Sequence, residues 1–128
     1  MQAQLNHIGL VVSDLTKARH FYGGILGLRE APRPDFFIKG VWYDLGAFKL
    51  HLMLHEEPKV RHVHPLNETV QSHFALSITS EKMDEVLERL IISGLELIPE
   101  PSSPLANEKR AFFYDFDYNM VELQATLD

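Results

Sequence analysis

The sequence contains no cysteine. This absence excludes a disulfide framework, a thiol nucleophile and a thiolate metal site, and it fits a reducing compartment. The chain has no stretch that approaches the ~20 apolar residues of a membrane-spanning helix. Its first residues also lack the basic region and apolar run of a signal peptide. We therefore expect a cytoplasmic protein with no membrane partner.

Positive charge is also scarce, since 12 Lys and Arg stand against 18 Asp and Glu, for a net charge of −6. A nucleic-acid-binding protein needs a concentrated basic surface, so nucleic acid is not an expected partner. What the chain does have suits one compact domain: 128 residues, of which 45% are hydrophobic and 23% are charged. With no cysteine available, its seven histidines are the natural candidates for metal ligands.

The pattern of predicted elements occurs twice along the chain. The spacing of apolar residues predicts a buried strand, an amphipathic helix and three further strands in each half. Ser13 or Asp14 is placed to cap the first helix, and Ser80 is placed to cap the second. The predicted strands are 6–12, 28–31, 40–45 and 49–54 in the first half, and 72–78, 95–98, 111–116 and 120–125 in the second.

A polar stretch that contains two prolines separates the halves. We predict a single domain over residues 1–128, with module one at about 1–54, a linker at about 55–71 and module two at about 72–128. Three histidines lie in or beside the linker and one lies within the first helix. We interpret all four as surface residues: His55, His62, His64 and His20.

The closing hairpins of the two halves can be aligned without gaps. WYDLGAFKLHL aligns with FYDFDYNMVEL, which places Trp42 over Phe113 and His51 over Glu122. The aromatic pair suits either the lining of an apolar substrate pocket or packing in the core. The polar pair lies in the middle of apolar strands, where an ionised carboxylate is costly unless a partner compensates its charge.

Strand parity predicts a partner for Glu122. Successive side chains of a strand point to opposite faces, so each opening and closing strand has an aliphatic face and a face that carries one His or Glu side chain. Those polar side chains are His7, His51, His73 and Glu122. Three imidazoles and a carboxylate suit Zn²⁺, Ni²⁺, Co²⁺, Fe²⁺ or Mn²⁺ rather than Ca²⁺ or Mg²⁺. Four protein ligands also leave positions on such an ion for water or substrate, as catalysis requires.

Two segments carry a resemblance to a known family, LNHIGLVVSDLTKARHFYGGILGL near the start and FFYDFDYNMVELQ near the end. They resemble the vicinal oxygen chelate superfamily, also called the glyoxalase/bleomycin resistance protein/dioxygenase group. The resemblance implies an α+β fold of two tandem βαβββ modules that form a curved-sheet cleft around one divalent metal. It implies His7, His51, His73 and Glu122 as the ligands. Residues 115–119 stand in place of the family's Asp-Pro-Asp-Gly-Asn turn, and Asn119 is expected to adopt the left-handed conformation.

The position of His51 departs from the pattern of the family. Members similar to glyoxalase I usually carry Glu at this position, and epimerases often carry Gln. Extradiol dioxygenases and fosfomycin-modifying members use only the other three positions. The resemblance therefore leaves two roles open for His51, a fourth metal ligand or a residue that forms hydrogen bonds with the substrate.

The resemblance implies a metal-dependent enzyme that binds adjacent oxygens of a small substrate, with the metal as Lewis acid. The four aligned ligand-type residues favour a glyoxalase-like lyase or isomerase, with Glu122 and His51 as candidate catalytic residues. The alternatives are an extradiol dioxygenase that uses Fe²⁺ and a non-catalytic, bleomycin-type drug-binding protein. Arg110 is placed to hold an anionic group of the substrate, and Trp42 and Phe113 are candidates for its pocket. A homodimer is also expected from the resemblance.

Overall fold

The computed structural model of the protein describes residues 1–57, 69–99 and 106–127. The chain divides into two compact units, Met1–Lys59 and Val60–Asp128. Much of the predicted linker, including His62 and His64, lies outside the described residues. In the part of the chain that the structure describes, no helix is long and apolar enough to cross a membrane.

The first unit contains the predicted strand, helix and three strands. Its elements are β1 (His7–Val12), α1 (Leu15–Arg19), a π-helical segment that continues α1 (His20–Ile25), β2 (Glu30–Ala31), β3 (Gly40–Asp44) and β4 (Lys49–Leu54). The sheet has the order β1-β4-β3-β2, with β1 parallel to β4 and the other neighbours antiparallel. Asp14 caps α1 as predicted, because its Oδ1 accepts a hydrogen bond from the backbone N of Lys17 at 3.0 Å.

The core of the first unit lies on the aliphatic face of its sheet. Residues with 1% exposure or less come from β1, the helical segment, β3 and β4: Val12, Phe21, Tyr22, Ile25, Val41, Tyr43, Leu50 and Leu52. Each such side chain contributes about 1.5–3 kcal/mol by leaving water. Since side chains alternate along a strand, this packing directs Trp42 and His51, which are register partners, to the opposite face.

The second unit contains β5 (His73–Ser77), α2 (Ser80–Ile92), β6 (Glu108–Tyr114) and β7 (Met120–Thr126), and its sheet has the order β5-β7-β6. Thr79, rather than the predicted Ser80, caps α2, since its Oγ1 accepts from the backbone N of Lys82 at 3.1 Å. The strand predicted at 95–98 is also wrong, because the described residues form only an isolated bridge there, between Leu97 and Phe113. The α+β class and the paired modules are nevertheless confirmed.

The two closing hairpins differ by one residue in their turns. Residues 45–48 connect β3 to β4, whereas residues 115–119 connect β6 to β7. In the second hairpin Phe112 is therefore the register partner of Glu122, as Trp42 is of His51 in the first. The gapless alignment of Trp42 with Phe113 is thus wrong, because a one-residue shift moves a side chain to the other face of the sheet.

The longer turn is held by a buried carboxylate. Asp115 is 4% exposed, and its Oδ1 accepts hydrogen bonds from the backbone N atoms of Asp117 and Asn119, both at 2.8 Å. The residue with left-handed backbone conformation is Tyr118, with φ of 61°, rather than the predicted Asn119. Tyr118 therefore adopts a conformation that glycine accommodates without strain.

Candidate functional site

In the second unit, two of the predicted ligands form a pair on neighbouring strands. Glu122 on β7 is the register partner of Ala75 on β5, so His73, two residues earlier, lies on the same face. The Nε2 atom of His73 is 3.1 Å from the Oε1 atom of Glu122. Glu122 is only 4% exposed, whereas the side chain of His73 is 30% exposed. The acid within an apolar strand therefore has a partner, as the sequence requires.

The remaining polar atoms of this pair are also engaged. The Nδ1 atom of His73 lies 2.7 Å from the backbone carbonyl oxygen of Gln71. Because a carbonyl oxygen only accepts, Nδ1 carries a proton and donates it, and Nε2 is the ring atom that faces Glu122. The other carboxylate oxygen, Oε2, accepts from the Nε2 atom of Gln124 at 2.6 Å.

This arrangement fits a metal ion. The Nε2 atom of His73 and the Oε1 atom of Glu122 face each other at 3.1 Å, and either a proton on Nε2 or a cation bound by both atoms stabilises this approach. The edge of the His73 ring also contacts the Phe112 ring, with a centroid distance of 5.4 Å, which limits its rotation. The pair thus offers one nitrogen and one oxygen ligand in fixed orientations.

In the first unit, the other two predicted ligands are stacked on one another. The ring centroids of His7 and His51 lie 4.1 Å apart at an interplanar angle of 13°. The opposite side of His51 stacks on Trp42 at 4.0 Å and 4°. The Nδ1 atom of His7 is 2.7 Å from Oδ1 of Asn6, so Nδ1 donates and Nε2 of His7 is the atom suited to a metal.

The stack restricts which of the two histidines can bind an ion. An imidazole binds a metal through a lone pair in the ring plane, at about 2.1 Å from nitrogen. An ion shared by His7 and His51 would have to lie in both planes, but these planes are nearly parallel and the ring centroids are 4.1 Å apart. In this conformation only one of the two histidines can therefore be a ligand of any given ion.

The surroundings of His51 favour the neutral imidazole. Burial lowers the pKa of His51 most, and the nearby His7, Lys49 and Arg33 lower this pKa further. Each of these effects disfavours a positive charge on the ring. His51 is therefore a neutral side chain at pH 7 that can accept a proton.

The structure also places the residues predicted to bind substrate. Arg110 lies on the Glu122 face, opposite Gln124, and its guanidinium carbon is 5.6 Å from the centroid of the Phe112 ring. Trp42 is half-buried on the His51 face. Phe113, by contrast, is fully buried on the other face with Val121 as its register partner. Phe113 belongs to the core, and Phe112, which is itself only 4% exposed, is the aromatic residue on the Glu122 face.

Three contributors to the site were not predicted from the sequence. Gln124 could have been found, because it shares the parity of Glu122 in β7. To predict that Phe112 faces Glu122, one needs the register of the hairpin, which depends on the length of its turn. Gln71 acts through its backbone carbonyl, for which the sequence carries no signal.

Each unit by itself brings together two of the four predicted ligands. Among residues 1–57, 69–99 and 106–127, no three His, Asp or Glu side chains form a group that could hold a metal ion. His20 and His55 are exposed, as predicted. The Nδ1 atom of His55 accepts a hydrogen bond from the backbone N of Glu57 at 3.2 Å, which is a local contact.

Comparisons with known proteins agree with this architecture. The profile of the Glyoxalase/Bleomycin resistance protein/Dioxygenase superfamily matches residues 4–123. The fosfomycin resistance protein FosX of Listeria innocua is 30% identical, over 98% of this chain and 91% of its own. The metallothiol transferase FosB of Staphylococcus saprophyticus is 28% identical, over 96% of this chain and 77% of its own.

Solved structures extend the likeness. A variant of FosX from Listeria monocytogenes, in complex with Mn(II) and 1S,2S-dihydroxypropylphosphonic acid, superposes with a TM-score of 0.76 at 28% identity. The superposition covers 98% of this chain and 94% of that chain. The similarity therefore extends over both units rather than over one.

Proposed function

The chain belongs to the Glyoxalase/Bleomycin resistance protein/Dioxygenase superfamily, and we propose that it is a divalent-metal-dependent enzyme acting on a small oxygenated anion. The proposed ligands are His7, His73 and Glu122. The observation that carries the proposal is the 3.1 Å approach of His73 Nε2 to Glu122 Oε1. Two further hydrogen bonds, one to the Gln71 carbonyl and one from Gln124, hold the other polar atom of each side chain.

The donor set limits the choice of metal. Two imidazole nitrogens and one carboxylate oxygen suit Mn²⁺, Fe²⁺, Co²⁺, Ni²⁺ or Zn²⁺. Both histidines donate from Nδ1, to Asn6 and to Gln71, so both have Nε2 available for a metal. When bound, the ion would supply a Lewis acid for adjacent substrate oxygens.

His51 is proposed to act on the substrate rather than as a fourth ligand. Its stacking on His7 supports this role, because parallel rings cannot share an ion. A set of four ligands would favour a glyoxalase-like lyase or isomerase, and the stack of His51 on His7 argues against such a set. The lowered pKa of His51 instead supports a neutral imidazole that accepts a proton from an attacking nucleophile.

The relatives support a phosphonate as the substrate class. FosX of Listeria innocua is named for fosfomycin resistance, and the FosX complex contains a dihydroxypropylphosphonic acid with Mn(II). We propose that this protein opens a small epoxide-bearing phosphonate such as fosfomycin by addition of water or a thiol. The nucleophile would give its proton to His51, its oxygen or sulfur would bond to the epoxide carbon, and that carbon's C–O bond would break. The released oxygen would take a proton from solvent.

Other residues of the chain are proposed to position the substrate. Arg110, on the Glu122 face, would bind phosphonate oxygens through its planar guanidinium. Trp42 is half-buried, and its exposed part would exclude water from the apolar side of the substrate. Phe113 has no role in this proposal, because its side chain is fully buried in the core.

An extradiol dioxygenase is the second candidate reaction. The same three ligands, two histidines and a carboxylate, form the facial triad that non-haem Fe²⁺ oxygenases use. The observation that favours it is again the His73–Glu122 pair. The two reactions differ in their requirement for dioxygen, which makes them separable by assay.

The ligand proposal is tested by metal binding before any assay of activity. Mn²⁺ binding is measured by isothermal titration calorimetry for the wild type and for H7A, H73A, E122A and H51A, with H20A as a surface control. Loss of binding in the first three variants, with retention in H51A and H20A, is the expected result. Wild-type stoichiometry and affinity in H7A and H73A would falsify the site.

The reaction is tested with the metal-loaded protein. Fosfomycin is supplied with water alone, with glutathione and with other low-molecular-mass thiols, and products are identified by ³¹P NMR. A hemithioacetal tests the lyase reaction, and catechols with Fe²⁺ and dioxygen test the dioxygenase. We expect the wild type to convert fosfomycin and H51Q to do so at least tenfold more slowly. Turnover of a catechol or hemithioacetal without fosfomycin conversion contradicts the phosphonate proposal.

We also propose a homodimer, as the resemblance implies. Light scattering coupled to gel filtration is the direct measurement. A mass near 14.7 kDa, that of one chain, contradicts the proposal, whereas twice that mass supports it.

A further inference from the structure

The geometry points to Tyr114 as a positioning residue that orients His73 through Gln71, an inference that rests on the proposed role of His73 as a ligand. The hydroxyl of Tyr114 accepts a hydrogen bond from Nε2 of Gln71 at 2.6 Å. The backbone carbonyl of Gln71 accepts from Nδ1 of His73 at 2.7 Å. Two short hydrogen bonds thus connect a tyrosine on β6 to the imidazole on β5.

Gln71 lies at the junction of this connection. It precedes β5 and lies outside the regular strand. Its backbone N donates to the carbonyl of Thr69 at 2.9 Å, which is a local contact. The side-chain bond to Tyr114 joins it to a residue 43 positions away. That bond restricts the peptide whose oxygen holds Nδ1 of His73.

Tyr114 is itself well held. It is the last residue of β6 and the register partner of Met120. Its ring packs against a cluster formed by Ile98, Phe112 and Met120, and it contacts the Tyr118 ring edge-on at 5.7 Å. A hydroxyl on this ring therefore has a defined position from which to accept the bond from Gln71.

The connection spans the strand that carries Glu122. The sheet order is β5-β7-β6, so β7 lies between the strand of His73 and the strand of Tyr114. The Tyr114–Gln71 bond thus ties the start of β5 to β6 across β7. Partners that fix the Nδ1 proton of a ligating histidine set its tautomer and ring orientation, and their loss typically lowers metal affinity about 10–100-fold. Tyr114 is one hydrogen bond further from the metal than such a partner, so we expect Y114F to lower metal affinity about tenfold.

The test compares Mn²⁺ affinity with apo-protein stability and with the histidine tautomer. Y114F and Q71A should each weaken Mn²⁺ binding about tenfold, and Y114F/Q71A should be no weaker than Q71A, because both changes remove one connection. In ¹⁵N NMR of the apo protein, the His73 Nδ1–H tautomer should be depleted in Y114F. The unfolding temperature of the apo protein should change little in Y114F. Y118F, which removes a hydroxyl from the neighbouring ring, is the matched control and should bind like the wild type.

A conservative variant separates this role from a purely structural one. Q71E can accept a hydrogen bond from the Tyr114 hydroxyl, so it should bind Mn²⁺ within about threefold of the wild type, whereas Q71E/Y114F should not. Wild-type affinity and tautomer in Y114F overturn the inference, as does an equal loss in Y118F. If the wild type binds no Mn²⁺, the proposed function fails. The tautomer measurement, which needs no metal, still decides whether Tyr114 orients His73.

Discussion

The Nε2 atom of His73 and the Oε1 atom of Glu122 lie 3.1 Å apart on adjacent parallel strands, and Glu122 is 4% exposed. Each side chain has a second hydrogen bond that fixes its orientation. A histidine and a glutamate that are 49 positions apart in the chain therefore form a preorganised pair. This pair is the basis of the first prediction.

Replacing Glu122 by Gln should remove the charge that the metal requires while keeping the shape of the side chain. We expect Mn²⁺ affinity to fall by about 100-fold or more, since a ligand is lost rather than its supporting partner. At Mn²⁺ concentrations of 100 times the wild-type Kd, binding stabilises the wild type by about 2.7 kcal/mol. Thermal unfolding with and without Mn²⁺ should show this gain for the wild type and for the control E96Q, but not for E122Q. An equal gain in E122Q contradicts the prediction.

Trp42 should report on metal binding in the first unit. It is the only tryptophan of the chain, and its ring stacks on His51, which stacks on His7. Ni²⁺ or Co²⁺ at His7 should quench the indole emission, because partly filled d shells de-excite a nearby fluorophore. The quenching should saturate in the wild type and be absent in H7A. Saturable quenching of equal depth in H7A would place the ion elsewhere.

At position 118, glycine should give a more stable protein than alanine. The φ of Tyr118, 61°, is left-handed, a region that is costly for residues with a Cβ atom. Both Y118G and Y118A lose the ring, so their difference isolates the backbone effect. We expect Y118G to be about 1 kcal/mol more stable than Y118A, as measured by urea unfolding. At Phe116, which has no left-handed backbone, the order should be reversed.

Gly40 should not tolerate a side chain. A Cβ atom built on Gly40 would lie 2.1 Å from the backbone oxygen of Leu52, and a backbone oxygen in a sheet cannot move aside cheaply. We expect G40A to lose about 1–3 kcal/mol of unfolding free energy. The control is G24A, where the nearest atom, Nδ1 of His20, would be 3.4 Å away. If G40A is as stable as G24A, Gly40 does not lie this close to the backbone oxygen of Leu52, and the prediction fails.

The pH dependence of stability should carry the signature of His51. Its pKa in the folded protein is lowered by burial first, and then by His7, Lys49 and Arg33. The unfolded chain protonates this histidine near its ordinary pKa of about 6.5. At pH values below about 6.5, the unfolded chain binds a proton on this histidine more readily than the folded protein does. The contribution of neutral His51 to the free energy of unfolding is therefore complete above about pH 6.5. It is lost as pH falls through the lower pKa of His51 in the folded protein. Relative to H51Q, the apo wild type should lose unfolding free energy between pH 7 and pH 5. A constant difference over that range contradicts the prediction.

Periodicity was sufficient to predict most of the local structure. Alternation in β4 and β7 placed His51 and Glu122 opposite the aliphatic core, since a strand with Leu50 and Leu52 buried leaves its other face free for a polar residue. The polar residue before the first helix, Asp14, capped it as expected. These features depend on neighbours within a few positions, which the sequence displays directly.

Offsets of a single residue escaped prediction. The turn at residues 115–119 is one residue longer than its counterpart, so Phe112 rather than Phe113 faces Glu122. The cap of α2 moved from Ser80 to Thr79, and Tyr118 rather than Asn119 adopted the left-handed conformation. Each shift is a single residue, yet each changes which side chain reaches the site or carries the strain.

The sequence by itself determined the residue types of the site, because a carboxylate and three histidines in apolar strands need partners whatever the details of the fold. Only the tertiary structure decided how they are used. It stacked His51 between His7 and Trp42, which opposes a shared ion, and it aligned His73 with Glu122. Ring orientation and tautomer follow from individual hydrogen bonds, such as that of His73 to the backbone oxygen of Gln71, and strand periodicity carries no information about them.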